Sequence, residues 1–206
     1  MTATSHQDEY QTALKGLAHL DIGRCQSVLG LRLKDGALEI PFYDQIYWIS
    51  EGCILNRDGT PPTPAVGLVL CRYLLNCPAE PLPHGRRATF RELENAGPLV
   101  SSFTANTNKL ITSAFARDLR GLDTAGRRMN GTRCDDPPGF DRVIVFSALP
   151  HVPVYLHFNA ADDLFPAQCS LLFNYSAQGY LDMTSIFILG TYLAGGLMRD
   201  RTPDEV

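Results

Sequence analysis

The stretch of sequence that decides the fold runs from Val143 to Met198 and reads VIVFSALPHVPVYLHFNAADDLFPAQCSLLFNYSAQGYLDMTSIFILGTYLAGGLM. Its first run, residues 143–148, is apolar at nearly every position, which is typical of a central strand covered on both faces. From Val152 to Asn159 apolar residues alternate with other side chains, and this two-residue period is typical of a strand that buries one face. The stretch therefore predicts neighbouring strands that close one side of a hydrophobic core.

A third strand and an apolar helix complete this stretch. Cys169, Leu171 and Phe173 share one face of the predicted strand. Asp182 or Thr184 is expected to cap the helix, because short polar side chains accept hydrogen bonds from the first helical N–H groups. The apolar stripe of this helix consists of Ile186, Leu189, Leu193 and Leu197.

The clearest local signal lies earlier, in residues 31–40, LRLKDGALEI. Asp35 and Gly36 predict a type I′ hairpin turn, which needs a positive φ at both central residues. The expected cross-strand pairs are Arg32 with Glu39, Leu33 with Leu38 and Leu31 with Ile40. Short strands at 43–50 and 53–56, joined by turns, extend the hairpin into an antiparallel meander.

Helical periodicity predicts further helices over residues 5–20, 64–76 and 101–119. Residues 88–93 are predicted to form a short strand, and residues 121–141 a polar surface excursion. The order of strands and helices indicates an α+β fold: a mainly antiparallel sheet with an N-terminal meander, helices packed on it, and a C-terminal helix.

Composition restricts the classes of function. The chain has 206 residues, of which 45% are hydrophobic and 19% charged, and we expect one globular domain over residues 1–206 with frayed tails at 1–5 and 199–206. The net charge of −4 argues against nucleic-acid binding, which needs a basic face. The longest charge-free apolar stretch, residues 183–198, is too short to cross a membrane. With no secretory signal, a cytoplasmic protein is expected.

No motif names a reaction, a metal or a cofactor. The six cysteines have irregular spacing and include no Cys-x-x-Cys pair, so they are expected to be reduced thiols and no metal site is predicted. The sequence also contains no Gly-x-Ser-x-Gly, no phosphate-binding loop and no His-Glu-x-x-His.

The sharpest group of polar residues follows the second predicted strand. Tyr155, His157 and Asn159 share one face of that strand, and Asp162 and Asp163 lie in the next turn. An imidazole beside a carboxylate can act as a general base or bind a metal ion. The alternative is that His157 lies on a half-exposed sheet surface and that the two acids are solvated turn residues.

Two arginine pairs are candidate anion contacts. Arg86 with Arg87 and Arg127 with Arg128 lie in or beside predicted loops. The planar guanidinium group binds carboxylates and phosphates through paired donors. The alternative is ordinary solvated surface charge.

Several short motifs resemble the signature of an uncharacterised domain-of-unknown-function family of bacteria and archaea that is common in anaerobes. The motifs are LPHVP at 149–153, DDLFP at 162–166, LLFN at 171–174, FREL at 90–93 and GPL at 97–99. Asn174 stands where that family often has an acid, and His157 where an apolar residue is expected. Some members carry a four-cysteine iron–sulfur segment, which implies a redox or corrinoid setting. The resemblance implies the fold and supplies no activity.

Three functions are consistent with the sequence. The leading hypothesis is a soluble domain that binds a small molecule or cofactor in anaerobic or redox metabolism, with its site at the 159–166 turn. The second is a metal-dependent hydrolase or transferase that uses His157 with Asp162 or Asp163. The third is an interaction domain that docks on a redox partner protein through the hairpin or the last helix.

Overall fold

The computed structural model describes residues 3–50 and 52–199 and confirms the α+β class. Its strands form two antiparallel sheets, one of four strands in the order β1-β2-β3-β4 and one of five in the order β5-β9-β8-β7-β6. The strands are β1 Arg32–Lys34, β2 Ala37–Phe42, β3 Gln45–Ser50, β4 Cys53–Asn56, β5 Arg87–Thr89, β6 Thr132–Cys134, β7 Arg142–Leu149, β8 Val152–Asn159 and β9 Gln168–Asn174. The helices are α1 Ala3–Gly16, α2 Ile22–Leu29, α3 Pro64–Leu75, α4 Val100–Asn106, α5 Asn108–Phe115, α6 Leu119–Arg128 and α7 Met183–Leu197.

The first sheet is the predicted meander. Asp35 and Gly36 have φ values of 51° and 80°, as a type I′ turn requires, and Arg32 lies opposite Glu39. The two residues of one predicted apolar pair differ in burial, because Leu33 on the edge strand β1 is 46% exposed while its partner on β2, Leu38, is buried.

The second sheet has one buried face and one outer face. The buried face packs into the core through Val154, Leu156, Phe158, Leu171, Phe173 and Phe146. We call the opposite side the outer face; by strand alternation and register it carries Arg87, Thr89, Val143, Val145, Tyr155, His157, Ser170, Leu172 and Asn174. This face positions the candidate site described below.

Helix α7 crosses the core and packs against α3, α4, α5 and α6. Asp182 caps it, accepting a hydrogen bond of 2.8 Å from the N–H of Ser185, as predicted. The four leucine and isoleucine residues of its predicted stripe are fully buried. Gly190 permits close approach, because a Cβ at that position would lie 2.4 Å from the ring of Phe103.

Four regions differ from the sequence prediction. The expected strand over 88–93 ends at Thr89 in β5, and Phe90–Glu92 form a 3-10 helix. The expected helix over 101–119 is divided into α4 and α5 at Thr107, whose φ of −132° and ψ of −86° are not helical. The expected surface excursion over 121–141 contains most of α6 and all of β6. Helix α2 was not predicted; Asp21 caps its start and Gly30, with φ of 63°, ends it.

Parts of two predictions lie outside the described residues. Residues 1–2 and 200–206 of the expected frayed tails are among these, whereas residues 3–5 form the first turn of α1. Glu51, from an expected turn of the meander, is also outside them. Within residues 3–50 and 52–199, no helix is long and apolar enough to span a membrane.

Candidate ligand-binding site

The loop between β6 and β7, residues 135–141, folds back over the outer face, and we call it the crossing loop. Asp136 reaches Arg87 on the far edge strand: Arg87 Nη2 lies 3.7 Å from its carboxylate, and Arg87 Nη1 donates to its backbone carbonyl at 3.4 Å. Farther along, the ring of Phe140 lies 4.5 Å from the ring of His157. The loop therefore covers part of the outer face.

Arg87 also contacts the aromatic ring of Tyr155. Its guanidinium carbon lies 4.3 Å from the ring centroid, which is the geometry of a cation–π interaction. Arg87 pairs with Asn174 and Tyr155 pairs with Leu172 in the sheet, so the arginine side chain extends diagonally across β9 to reach the ring. One cation and one aromatic ring thus meet at the centre of the outer face.

His157 lies next to this pair and is 6% exposed. Its Nε2 atom is buried and has no hydrogen-bond partner among the residues that the structure describes. Burial, followed by the positive charge of Arg87, lowers the pKa of His157 below its usual value, and Asp136 offsets part of that shift. The imidazole is therefore neutral at neutral pH, with one nitrogen that donates and one that accepts. The alternative reading of the sequence, in which His157 lies on a half-exposed sheet surface, does not hold; Phe140 is one of the groups that cover the imidazole.

Both ends of the crossing loop are anchored by hydrogen bonds. At its start, the thiol sulfur of Cys134 accepts from the N–H of Asp136 at 3.4 Å. At its end, Asn159 Oδ1 accepts from the N–H of Asp141 at 2.9 Å, and the Asp141 carboxylate accepts from the N–H of Ala160 at 2.8 Å. Asn159, a predicted site residue, thus holds the loop in place.

Asp162 and Asp163 lie at a different place. Asp162 Oδ1 accepts from the N–H groups of Leu164 and Phe165 at 2.8 and 2.7 Å, and these bonds lower the pKa of Asp162. The two acids line a cavity of about 410 Å³ together with Arg117 and other residues at the start of α6, and the lining described for it does not include Tyr155 or His157. The carboxylate whose charge acts on His157 is that of Asp136 instead.

Of the four predicted arginines, Arg87 is the one at the outer-face site. Arg86 forms an ion pair of 2.9 Å with Glu92 and lies 4.9 Å above the ring of Tyr175. Arg127 Nη2 donates to the Thr124 hydroxyl at 3.2 Å. Arg128 Nη2 donates to the carbonyls of Gly196 and Leu197, both at 3.3 Å, at the end of α7. Arg86, Arg127 and Arg128 thus each have their own described partners.

Sequence reasoning missed three contributors to the outer face. Asp136 and Phe140 were treated as part of a surface excursion, and no periodic pattern marks either of them. Asn174 is 2% exposed, lies opposite Arg87 and approaches Nδ1 of His84 at 3.1 Å. The sequence signal for Asn174 was a polar amide at the end of the otherwise apolar run Leu-Leu-Phe-Asn.

The placement of the His, Cys, Asp and Glu side chains bears on metal binding and on thiol reactivity. No group of three or more His, Cys, Asp or Glu residues that could hold a metal ion occurs in the described parts of the chain. The six cysteines are free thiols there. Burial raises the pKa of Cys25 and of Cys71 to about 12, so these thiols stay protonated and are poor nucleophiles.

A family model described as "Domain of unknown function (DUF3786)" matches residues 21–195. The match includes every residue of the outer face and of the crossing loop. No curated protein and no solved structure matches the chain.

Proposed function

The chain belongs to the DUF3786 family of domains of unknown function, and we propose that it binds a small, flat, anionic molecule between the outer face and the crossing loop. The resemblance noted in the sequence suggests that this ligand belongs to anaerobic or redox metabolism. The proposal keeps Tyr155, His157 and Arg87 from the predicted set and assigns the turn acids no contact with the ligand.

The observation that carries the proposal is the buried Nε2 of His157. Buried polar atoms in folded proteins almost always have a partner, and one left without a partner destabilises the fold by about 1–3 kcal/mol. A neutral imidazole at the floor of the site can donate one hydrogen bond to a ligand or accept one from it. A ligand that makes this bond removes the penalty when it binds.

Arg87 provides the charge for an anionic group. Its present partner, the carboxylate of Asp136, lies at 3.7 Å with 77% of its side chain exposed, which is a loose pairing at a solvent-accessible position. A ligand carboxylate that meets the guanidinium in paired geometry forms a shorter, stronger contact. Asp136 therefore occupies the position that we assign to the ligand's anionic group.

The rings on either side favour a flat ligand. Tyr155 lies below the crossing loop and Phe140, 40% exposed, lies above His157. Aromatic faces stack on other planar groups at little conformational cost. For a ligand to reach His157, the Phe140 end of the loop must lift, and Gly139, with φ of 93°, provides a backbone position where such a change is tolerated.

Benzoate and benzamide are suitable probes, because they share a ring and differ in charge. Saturation-transfer NMR at constant ionic strength should detect benzoate, with benzamide at least about tenfold weaker. Arg87→Gln should remove this preference. Arg86→Gln is the matched control, because Arg86 is adjacent in sequence and also lies over a tyrosine, but a different one; it should leave benzoate affinity within about twofold of wild type.

The Asp136→Asn variant should change benzoate affinity in the opposite direction to Arg87→Gln. Removing the internal carboxylate should strengthen benzoate binding, whereas an aspartate that merely orders the site would weaken it when removed. Equal binding of benzoate and benzamide, or equal losses in the Arg86→Gln and Arg87→Gln variants, would contradict the assignment.

A further inference from the structure

A concave site lies among the helices, with none of the outer-face residues in its described lining. It is a groove of about 440 Å³ whose lining includes Leu99, Leu110, Phe187, Ile188, Gly195 and Met198. They come from the turn before α4, from α5, and from α7 and the residue that follows it. The volume lies within the range of small-molecule sites in proteins.

The lining of this groove is uncharged. Among the described residues that line it there is no Lys, Arg, Asp or Glu, and the single titratable side chain is that of His6. A charged ligand would lose its hydration without gaining an ionic partner. The groove therefore favours a neutral molecule.

Two polar side chains of the lining are already hydrogen-bonded within their own helices. Thr191 Oγ1 donates to the carbonyl of Phe187 at 3.2 Å, and Asn106 Nδ2 donates to the carbonyl of Ser102 at 2.8 Å. They require no polar atom from a ligand. An apolar body can lie against them without leaving a buried group unsatisfied.

Gly195 marks the groove as open space. Helix α7 contains three glycines, and two of them are explained by packing: a Cβ at Gly190 would meet Phe103, and one at Gly196 would lie 2.5 Å from the sulfur of Met129. Gly195 is exposed, and apart from its chain neighbours and the nearby backbone of its own helix, no described atom lies within 4 Å of an added Cβ. Glycine is unfavourable inside a helix, so a glycine that no neighbour requires points to space kept free on that side.

We propose that the groove is a second binding site, specific for a small, neutral, mainly apolar molecule with at most one polar end near His6. This site is separate from the one proposed on the outer face and does not depend on it. The lining chemistry distinguishes the two ligand classes. An anion is disfavoured in the uncharged groove and favoured at the outer face, where Arg87 lies.

Methyl NMR can test this with octanol and octanoate as probes. In protein labelled at methionine methyl groups, Met198 reports on the groove and the buried Met129 is an internal reference. Octanol should shift the Met198 signal in a saturable way and leave Met129 nearly unchanged. Octanoate should bind at least about tenfold more weakly.

Two glycine variants provide the blocked protein and its control. Gly195→Leu places a side chain in the groove and should weaken octanol binding at least about tenfold. Gly23→Leu adds the same side chain to the exposed helix α2, where the nearest atom to an added Cβ is at 3.6 Å, and should change binding by less than about twofold.

Each other outcome would overturn the proposal. These outcomes are the absence of a Met198 shift in wild type, equal octanol binding in the two glycine variants, and octanoate binding as tight as octanol binding. A Met198 shift that follows protein concentration without any probe would mean that a second copy of the chain fills the groove.

Discussion

Replacement of His157 by phenylalanine should make the protein more stable while removing its proposed ligand contact. The residue is 6% exposed and its Nε2 has no partner in the described structure, and such an atom destabilises a fold by about 1–3 kcal/mol. Phenylalanine has nearly the same shape and keeps the ring contact of 4.5 Å with Phe140. At pH values well above the pKa of histidine, we therefore expect His157→Phe to raise the free energy of unfolding by about 1–3 kcal/mol.

Acidification should increase that difference. The pKa of His157 is lowered from 6.5 in the folded protein, so below about pH 6.5 the unfolded chain binds more protons than the folded one and the wild type loses stability. The phenylalanine variant has no such group. We compare the two proteins at about pH 7.5 and pH 5.5, and only about one pH unit of this interval lies below the pKa of histidine in the unfolded chain. One proton bound over one pH unit changes the free energy of unfolding by about 1.4 kcal/mol, so acidification can add no more than this to the stability difference between variant and wild type.

Urea unfolding followed by circular dichroism at the two pH values measures both effects. His19→Phe, a change at an exposed histidine, is the control and should alter stability by less than about 0.5 kcal/mol at either pH. A destabilised His157→Phe variant at the higher pH would refute the inference that Nε2 is unsatisfied. If the difference in free energy of unfolding between His157→Phe and wild type were the same at both pH values, the inference that the imidazole resists protonation would be refuted. The same variant should bind benzoate more weakly, which would separate stability from binding.

Three further substitutions test the fold by urea unfolding. Gly190→Ala forces a Cβ to within 2.4 Å of the Phe103 ring and should cost about 1–3 kcal/mol; a neutral effect would mean that α7 can shift. Asp182→Ala removes the cap of α7 and should cost about 1 kcal/mol, with Asp182→Asn retaining most of the stability. Asp123→Ala breaks the ion pair of 2.8 Å with Arg142, whose side chains are 21% and 17% exposed, and should cost about 1.5–3 kcal/mol; a loss that disappears in high salt would indicate surface charge alone.

The elements that were predicted correctly have strong local signals. The Asp35–Gly36 turn fixes the register of its hairpin by backbone geometry alone. The two-residue period of β8 and the capping residue of α7 are likewise local. The elements that were missed have weak apolar signals: α2 buries Cys25 and Leu29, and α6 has three glycine or alanine positions and four charged residues among its ten.

The candidate site depends on contacts that no local pattern reveals. Arg87 and Asp136 are 49 residues apart in sequence and meet because the crossing loop folds over the sheet. The sequence identified Tyr155 and His157 as polar residues on one face of a strand, but it could not show that an aromatic residue from the loop buries the imidazole. It also grouped four arginines by adjacency, whereas Arg86 and Arg87 have different partners.

The edges of both sheets have a consequence for how copies of this chain meet one another. In the described structure the outermost strands β1, β5 and β6 have three residues each and β4 has four, while β7 and β8 in the interior have eight. A short edge exposes few unpaired backbone donors and acceptors, which leaves little template for adding a strand from another molecule. Addition of a strand from a crowded neighbouring copy is thus disfavoured at these edges.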